Sequence, residues 1–109
     1  MTFRRANEKL LVAVVDLVSG VGDARSRVAQ AYVQLRRLTE TELPATKVGE
    51  WRSILQALTK DGPERDTDGT LWAPAVENTT RRMRNRTASK IAHRIFTLYR
   101  DLQAKTTSR

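Results

Sequence analysis

Residues 79–102 read TTRRMRNRTASKIAHRIFTLYRDL, and the point at which this stretch turns from basic to amphipathic decides the fold. Placed at about 100° per residue, Ala88, Ile91, Ile95, Leu98, Tyr99 and Leu102 share one face. Arg82, Arg86, Ser89, His93 and Arg100 share the opposite face, with Lys90 and Arg94 on the flank between. Pro74 suits the first turn of such a helix. The spacing therefore predicts a helix over about 74–102, roughly 43 Å long if unbroken at 1.5 Å per residue. Arg81 and Arg84 disturb the pattern, because they project toward the apolar side, where unpaired charge does not belong. Core contact is expected to begin near Thr87. The part before it is expected to extend past the body of the protein or to bend away near 85–87, where Asn85 and Thr87 are both capping types.

Three further helical segments precede it. The first is expected over about 7–19, with Asn7 as cap and the glycines of SGVG (19–22) as stop. Eight of the nine residues from Leu10 to Val18 are apolar, which predicts a helix surrounded on most sides. The valines at 12, 14, 15 and 18 make a buried strand the competing reading. Asp23 caps the second segment, 24–38, where Ala24, Val28, Ala31, Leu35 and Leu38 form a seam stepping by four and three. Pro44 separates it from the third, 46–60, whose seam is Val48, Trp51, Leu55 and Leu58, and which Gly62 and Pro63 terminate. Residues 61–73 read as a turn-rich loop. Asp66 and Asp68, before Gly69, resemble a fragment of a calcium loop without its terminal glutamate, so a plain turn is the expectation and no metal is assigned. The tail, 103–109, is expected to fray.

The expectation is an all-α protein of one domain, 1–109: a small bundle of four helical segments with a long basic C-terminal helix. Composition agrees. Apolar residues make up 39% of the chain, yet Trp, Tyr and Phe number two each, so aliphatic side chains and alanine must build the core. The absence of cysteine excludes a disulfide framework and any thiolate metal site. The longest apolar run, Leu10–Val15, is too short for a membrane span. Asn7, Glu8 and Lys9 break up what could have been a secretory signal, so a cytoplasmic location is expected and no membrane partner. Two Asn-x-Thr sequons, at Asn78 and Asn85, then read as chance matches. No cofactor is implied, since no glycine-rich phosphate loop or metal-spaced cluster is present.

Charge carries the functional reading. The net charge is +8. Residues 1–77 hold eleven basic and eleven acidic side chains, whereas 78–109 hold nine basic and only Asp101 acidic, so the whole excess lies in the last third. Arg81, Arg82, Arg84, Arg86, Lys90 and Arg94 fall within fourteen positions without an intervening acid. Arg82, Arg86 and Lys90, spaced by four, would form a row along one side of a helix and follow a phosphate backbone, with Ser89, Thr79 and Thr80 adding neutral hydrogen bonds. An ordinary solvated face mixes signs to gain i,i+4 pairs. Nucleic acid, or a nucleoprotein complex, is the expected partner of these six residues, bound with low sequence specificity. Size and arginine content fit a bacterial or phage accessory protein.

Two alternatives stand beside this. Arg86 and His93, with six residues between them, resemble the arginine-x4–6-histidine motif of the HEPN (higher eukaryote and prokaryote nucleotide-binding) helical ribonucleases. The resemblance implies that both side chains act on a scissile phosphate, usually across a dimer interface. It covers these two residues and the helical fold class. The polar residue that family places after the arginine is here Thr87, with Asn85 before it. The residues otherwise point to no catalyst. The other alternative is a protein-binding module, an adaptor, inhibitor or antitoxin-like partner, whose basic helix docks an acidic protein surface with Phe3, Trp51 and Trp72 as candidate anchors. A homodimer is compatible with each reading.

Overall fold

The structure, a computed structural model, describes residues 3–65, 67, 69 and 71–107, with the side chains of 72, 73, 106 and 107 outside the description. Asp66 and Asp68 of the calcium-loop fragment lie outside the described residues, as does the side chain of Trp72. The chain is an all-α bundle: α1 (Arg4–Ser19), α2 (Ala24–Leu35), a 3-10 turn (Glu40–Glu42), α3 (Ala45–Thr59), α4 (Ala75–Arg82) and α5 (Asn85–Thr107). Among the described residues no helix is long and apolar enough to cross a membrane.

α1 begins one turn earlier than Asn7, so Asn7 is a helical residue and caps nothing. Its Oδ1 is buried without a hydrogen-bond partner. The helix ends where expected, but Gly20 is needed for space rather than for backbone freedom. Its φ is −65°, and a β-carbon there would lie 2.3 Å from the Asp16 carbonyl oxygen. Gly22, at φ +92°, supplies the left-handed residue of the turn. Asp23 then caps α2 as its side chain accepts from the Ser26 N–H at 3.1 Å.

α2 is three residues shorter than its seam, because Arg36 and Arg37 form a turn while Leu38 still reaches the core. Glu42 holds that turn: its carboxylate accepts from the Thr39 N–H and from Lys9 Nζ of α1, each at 3.0 Å. In α3, Trp51 is buried and its Nε1 donates to the Leu35 carbonyl at 2.9 Å, tying α3 to the end of α2. Trp51 is thus a core residue and not an exposed anchor, and Phe3 packs half-buried against the same core. The core itself combines Leu10 and Ala13 of α1, Val28, Ala31 and Leu35 of α2, Ile54 and Leu58 of α3, and the face of α5 from Ala88 to Leu102.

The expected loop 61–73 contains an antiparallel pair of short strands, β1 (Glu64–Arg65) and β2 (Leu71–Ala73). Strands of two and three residues are below the length at which alternation can be read from sequence. The larger correction concerns the last helix. The helix predicted over 74–102 is two helices, broken at Met83 and Arg84. Met83 has extended backbone (φ −79°, ψ 159°) and a buried side chain. The break resets the rotational phase, so that α4 does not protrude but packs against α2 and α3. Its buried face is polar: Asn78, Thr79 and Thr80. Each is hydrogen-bonded, as burial requires. Asn78 Nδ2 donates to the Gly62 carbonyl at 3.0 Å, Thr79 Oγ1 accepts from the Asp61 N–H at 3.1 Å, and Thr80 Oγ1 donates to the Val76 carbonyl at 2.9 Å.

Candidate nucleic-acid interface

The six cations singled out by sequence divide between two helices and two environments. In α4, Arg81 donates to Glu64 Oε2 of β1 at 2.7 Å and to Asn78 Oδ1 at 2.9 Å. Arg82 lies 3.8 Å from the same carboxylate. The strand pair thus brings an acid onto α4 from seventeen positions before Arg81. Thr79 and Thr80, expected to help hold phosphate, are turned inward and used up in α4's own packing.

In α5, Arg94 donates to Glu50 Oε1 at 2.5 Å and to Ser53 Oγ at 2.8 Å, which fastens α5 to α3. Arg84, Arg86 and Lys90 are different. All three are exposed, and among the described residues their side chains make no ion pair or hydrogen bond within the chain. Arg86 and Lys90 stand one helical turn apart on α5, and Arg84 immediately precedes the helix. The expected row of Arg82, Arg86 and Lys90 is therefore not a single helical row, because the break separates its first member from the other two.

The position of this trio has its own electrostatics. The first N–H groups of an α-helix lack partners within it and carry the positive end of its dipole. Arg84 and Arg86 flank that end of α5, so side-chain and backbone charge have the same sign there. Asp23 reaches the start of α5 through Asn85; its carboxyl is held below the ordinary carboxylate range by the Ser26 N–H and by Arg25, with Asn85 contributing a further hydrogen bond. Arg25 binds Asp23 Oδ2 at 3.0 Å, so that carboxylate is already neutralised locally. An open cavity of about 390 Å³ lies beside the site, lined by Leu17, Gly22, Asp23, Ala24, Arg27, Ser89 and Ala92.

His93 is exposed on α5, two turns after Arg86 and on the same face, about 10 Å along the axis. Among the described residues no side chain hydrogen-bonds the imidazole to orient it, and no group of three His, Asp or Glu is placed to hold a metal ion. No family model matches the chain, and neither the curated proteins nor the solved structures contain a match to it.

Proposed function

We propose that this protein is a small accessory protein that binds nucleic acid through Arg84, Arg86 and Lys90 at the start of α5, with Arg82 at the edge of the contact. The observation that carries this reading is the contrast in pairing. Arg81 and Arg94 are engaged by Glu64 and Glu50, while these three neighbouring cations face solvent without an acid. Like charges this close repel one another and lower stability, and a phosphate backbone relieves that repulsion. The N-terminal N–H groups of α5 add donors suited to the same phosphate.

Contacts of this type fix register on a strand and read little of its sequence. Three phosphate contacts correspond to a slope of roughly −3 when log affinity is plotted against log salt on duplex DNA. The test is a fluorescence-anisotropy titration of labelled duplex DNA and single-stranded RNA over a salt series. The expected result is tight binding at low salt, a steep decline, and little difference between unrelated sequences. Absence of binding at low salt, or a flat response to salt, would defeat the proposal.

A further inference from the structure

The outward face of α5 carries rings as well as charge. Arg86, Ser89, His93, Phe96 and Arg100 step by three, four, three and four, and all five are exposed. On an α-helix that spacing keeps them within about 80° of arc, in one stripe about 21 Å long at 1.5 Å per residue. Phe96 is 42% exposed on this polar side, while Ile91, Ile95, Leu98 and Leu102 enter the core on the other. A lone exposed apolar side chain is ordinary. Phe96 differs in its setting: His93 stands one turn before it, Arg100 one turn after it, and Lys90 on the flank.

The stripe itself contains no acid. Asp101 is the only acid of α5, and it accepts from Lys47 Nζ of α3 at 2.9 Å. Arg100 lies 3.9 Å from that carboxylate, yet its side chain is 63% exposed and still reaches solvent. Arg86 and Lys90 make no ion pair among the described residues. Cations and two exposed rings, His93 and Phe96, thus share one face. A phosphate backbone satisfies the cations and gives a phenyl ring nothing. A duplex keeps its bases paired and stacked, with their faces closed to a side chain. A single strand presents those faces, and a base laid on an aromatic ring adds affinity whatever its identity.

We infer that the ligand of this face is a single-stranded nucleic acid, with one base stacked on Phe96, its neighbour against His93, and the phosphates beside them held by Arg86, Lys90 and Arg100. This rests on the nucleic-acid reading above and adds to it the class of strand. Residues three apart on a helix are neighbours, with about 5–6 Å between β-carbons, so adjacent bases of one strand reach the two rings. Stacking of this kind tolerates any base, which keeps sequence specificity low.

The experiment is an anisotropy titration of the intact protein with three labelled DNAs of one length: a single strand, its duplex, and a stable abasic analogue with the same phosphates and no bases. At moderate salt the single strand should bind about 10-fold tighter than the abasic strand, a typical loss for one stacked base, and tighter than the duplex. Phe96→Ala should remove that advantage while leaving the abasic strand and the salt slope unchanged. Phe96→Trp, with a larger ring, should retain it. Equal affinity of the native protein for the base-bearing and abasic strands overturns the inference, with no variant required to fold, and leaves the phosphate reading standing. So does a duplex bound more tightly than the single strand, or a folded Phe96→Ala with full single-strand affinity. Failure to bind any of the three at low salt removes the nucleic-acid reading and this inference together.

Discussion

α4 and the first turns of α5 carry the same kind of charge, separated by two residues, and the fold treats them in opposite ways. On α4 the arginines are held from outside by Glu64 while Asn78, Thr79 and Thr80 bury the other side. On α5 the apolar side is buried, and Arg84, Arg86 and Lys90 around its start are left to solvent. The difference teaches that a dense run of arginines is not one functional unit. Half of it is part of the architecture and half is available to a partner. If so, substitutions in the two halves must separate stability from binding.

The largest effect is expected on the α5 side. Replacing Arg84, Arg86 and Lys90 together with glutamine should weaken nucleic-acid binding at moderate salt by on the order of 10²-fold and flatten the salt slope by roughly 3. Thermal unfolding should be unchanged or slightly higher, since repulsion is relieved. Equal binding by the triple variant, measured by anisotropy, would break the division between the halves.

The converse test is Asn78→Ala on α4. It deletes the hydrogen bond to the Gly62 carbonyl and the one from Arg81, at a site only 2% exposed. The expected cost is about 1–3 kcal/mol in urea unfolding, the range for leaving a buried polar partner unsatisfied. Affinity of the folded protein should remain as in the native chain. A variant of native stability that binds poorly would place α4 in the interface after all.

These residues also show what sequence patterning can and cannot reach. The seam of α2 and the face of α5 from Ala88 to Leu102 were legible because apolar side chains recurring at helical spacing have few alternatives to burial, and their members do reach the core. Asp23 was legible as a cap because its chemistry is local. α4 was not. Its buried side is made of Asn78, Thr79 and Thr80, whose partners at Gly62, Asp61 and Val76 are known only once the chain has turned back on itself. The break at Met83 lies two to four residues before the capping types Asn85 and Thr87 for the same reason, since the fold buries a methionine there. Of the six candidate cations five are exposed and Arg94 is half-buried, but which of them are paired depends on Glu64 and Glu50, which lie far away in sequence. On α1 the run of valines was legible as apolar, whereas which of them this chain covers was not.

A smaller effect is expected from acid, and it sorts regions in the same manner. The Asp101 carboxyl is held below its ordinary range chiefly by the hydrogen bond from Lys47, which joins α5 to α3. Burial pushes the Glu42 carboxyl up, but hydrogen bonds from Lys9 and Thr39 outweigh it and hold the group low. A carboxyl whose folded value is depressed contributes stability that is fully present above its unfolded value, and that contribution is lost as pH falls through the folded value. Stability should therefore be level near neutrality and decline below pH of about 4, the ordinary carboxylate range. Glu42→Gln should flatten part of that decline in a pH series of urea melts, and an unaltered decline would break the assignment.

The smallest expected change is at Arg94, and it is the most discriminating for the interface. Charge alone puts Arg94 in the binding set, and the fold gives it Glu50 and Ser53 instead. The pair is partly exposed, so solvent screening limits its worth, and exposed ion pairs contribute about 0–1 kcal/mol. Arg94→Gln should lower stability by no more than that and leave affinity within about twofold, without altering the salt slope by a full contact. A slope reduced by about one unit would mean that nucleic acid draws Arg94 away from Glu50. The interface would then run one turn further along the α3 side of α5, past His93, and His93→Ala would be the next variant to assay for cleavage of the bound RNA.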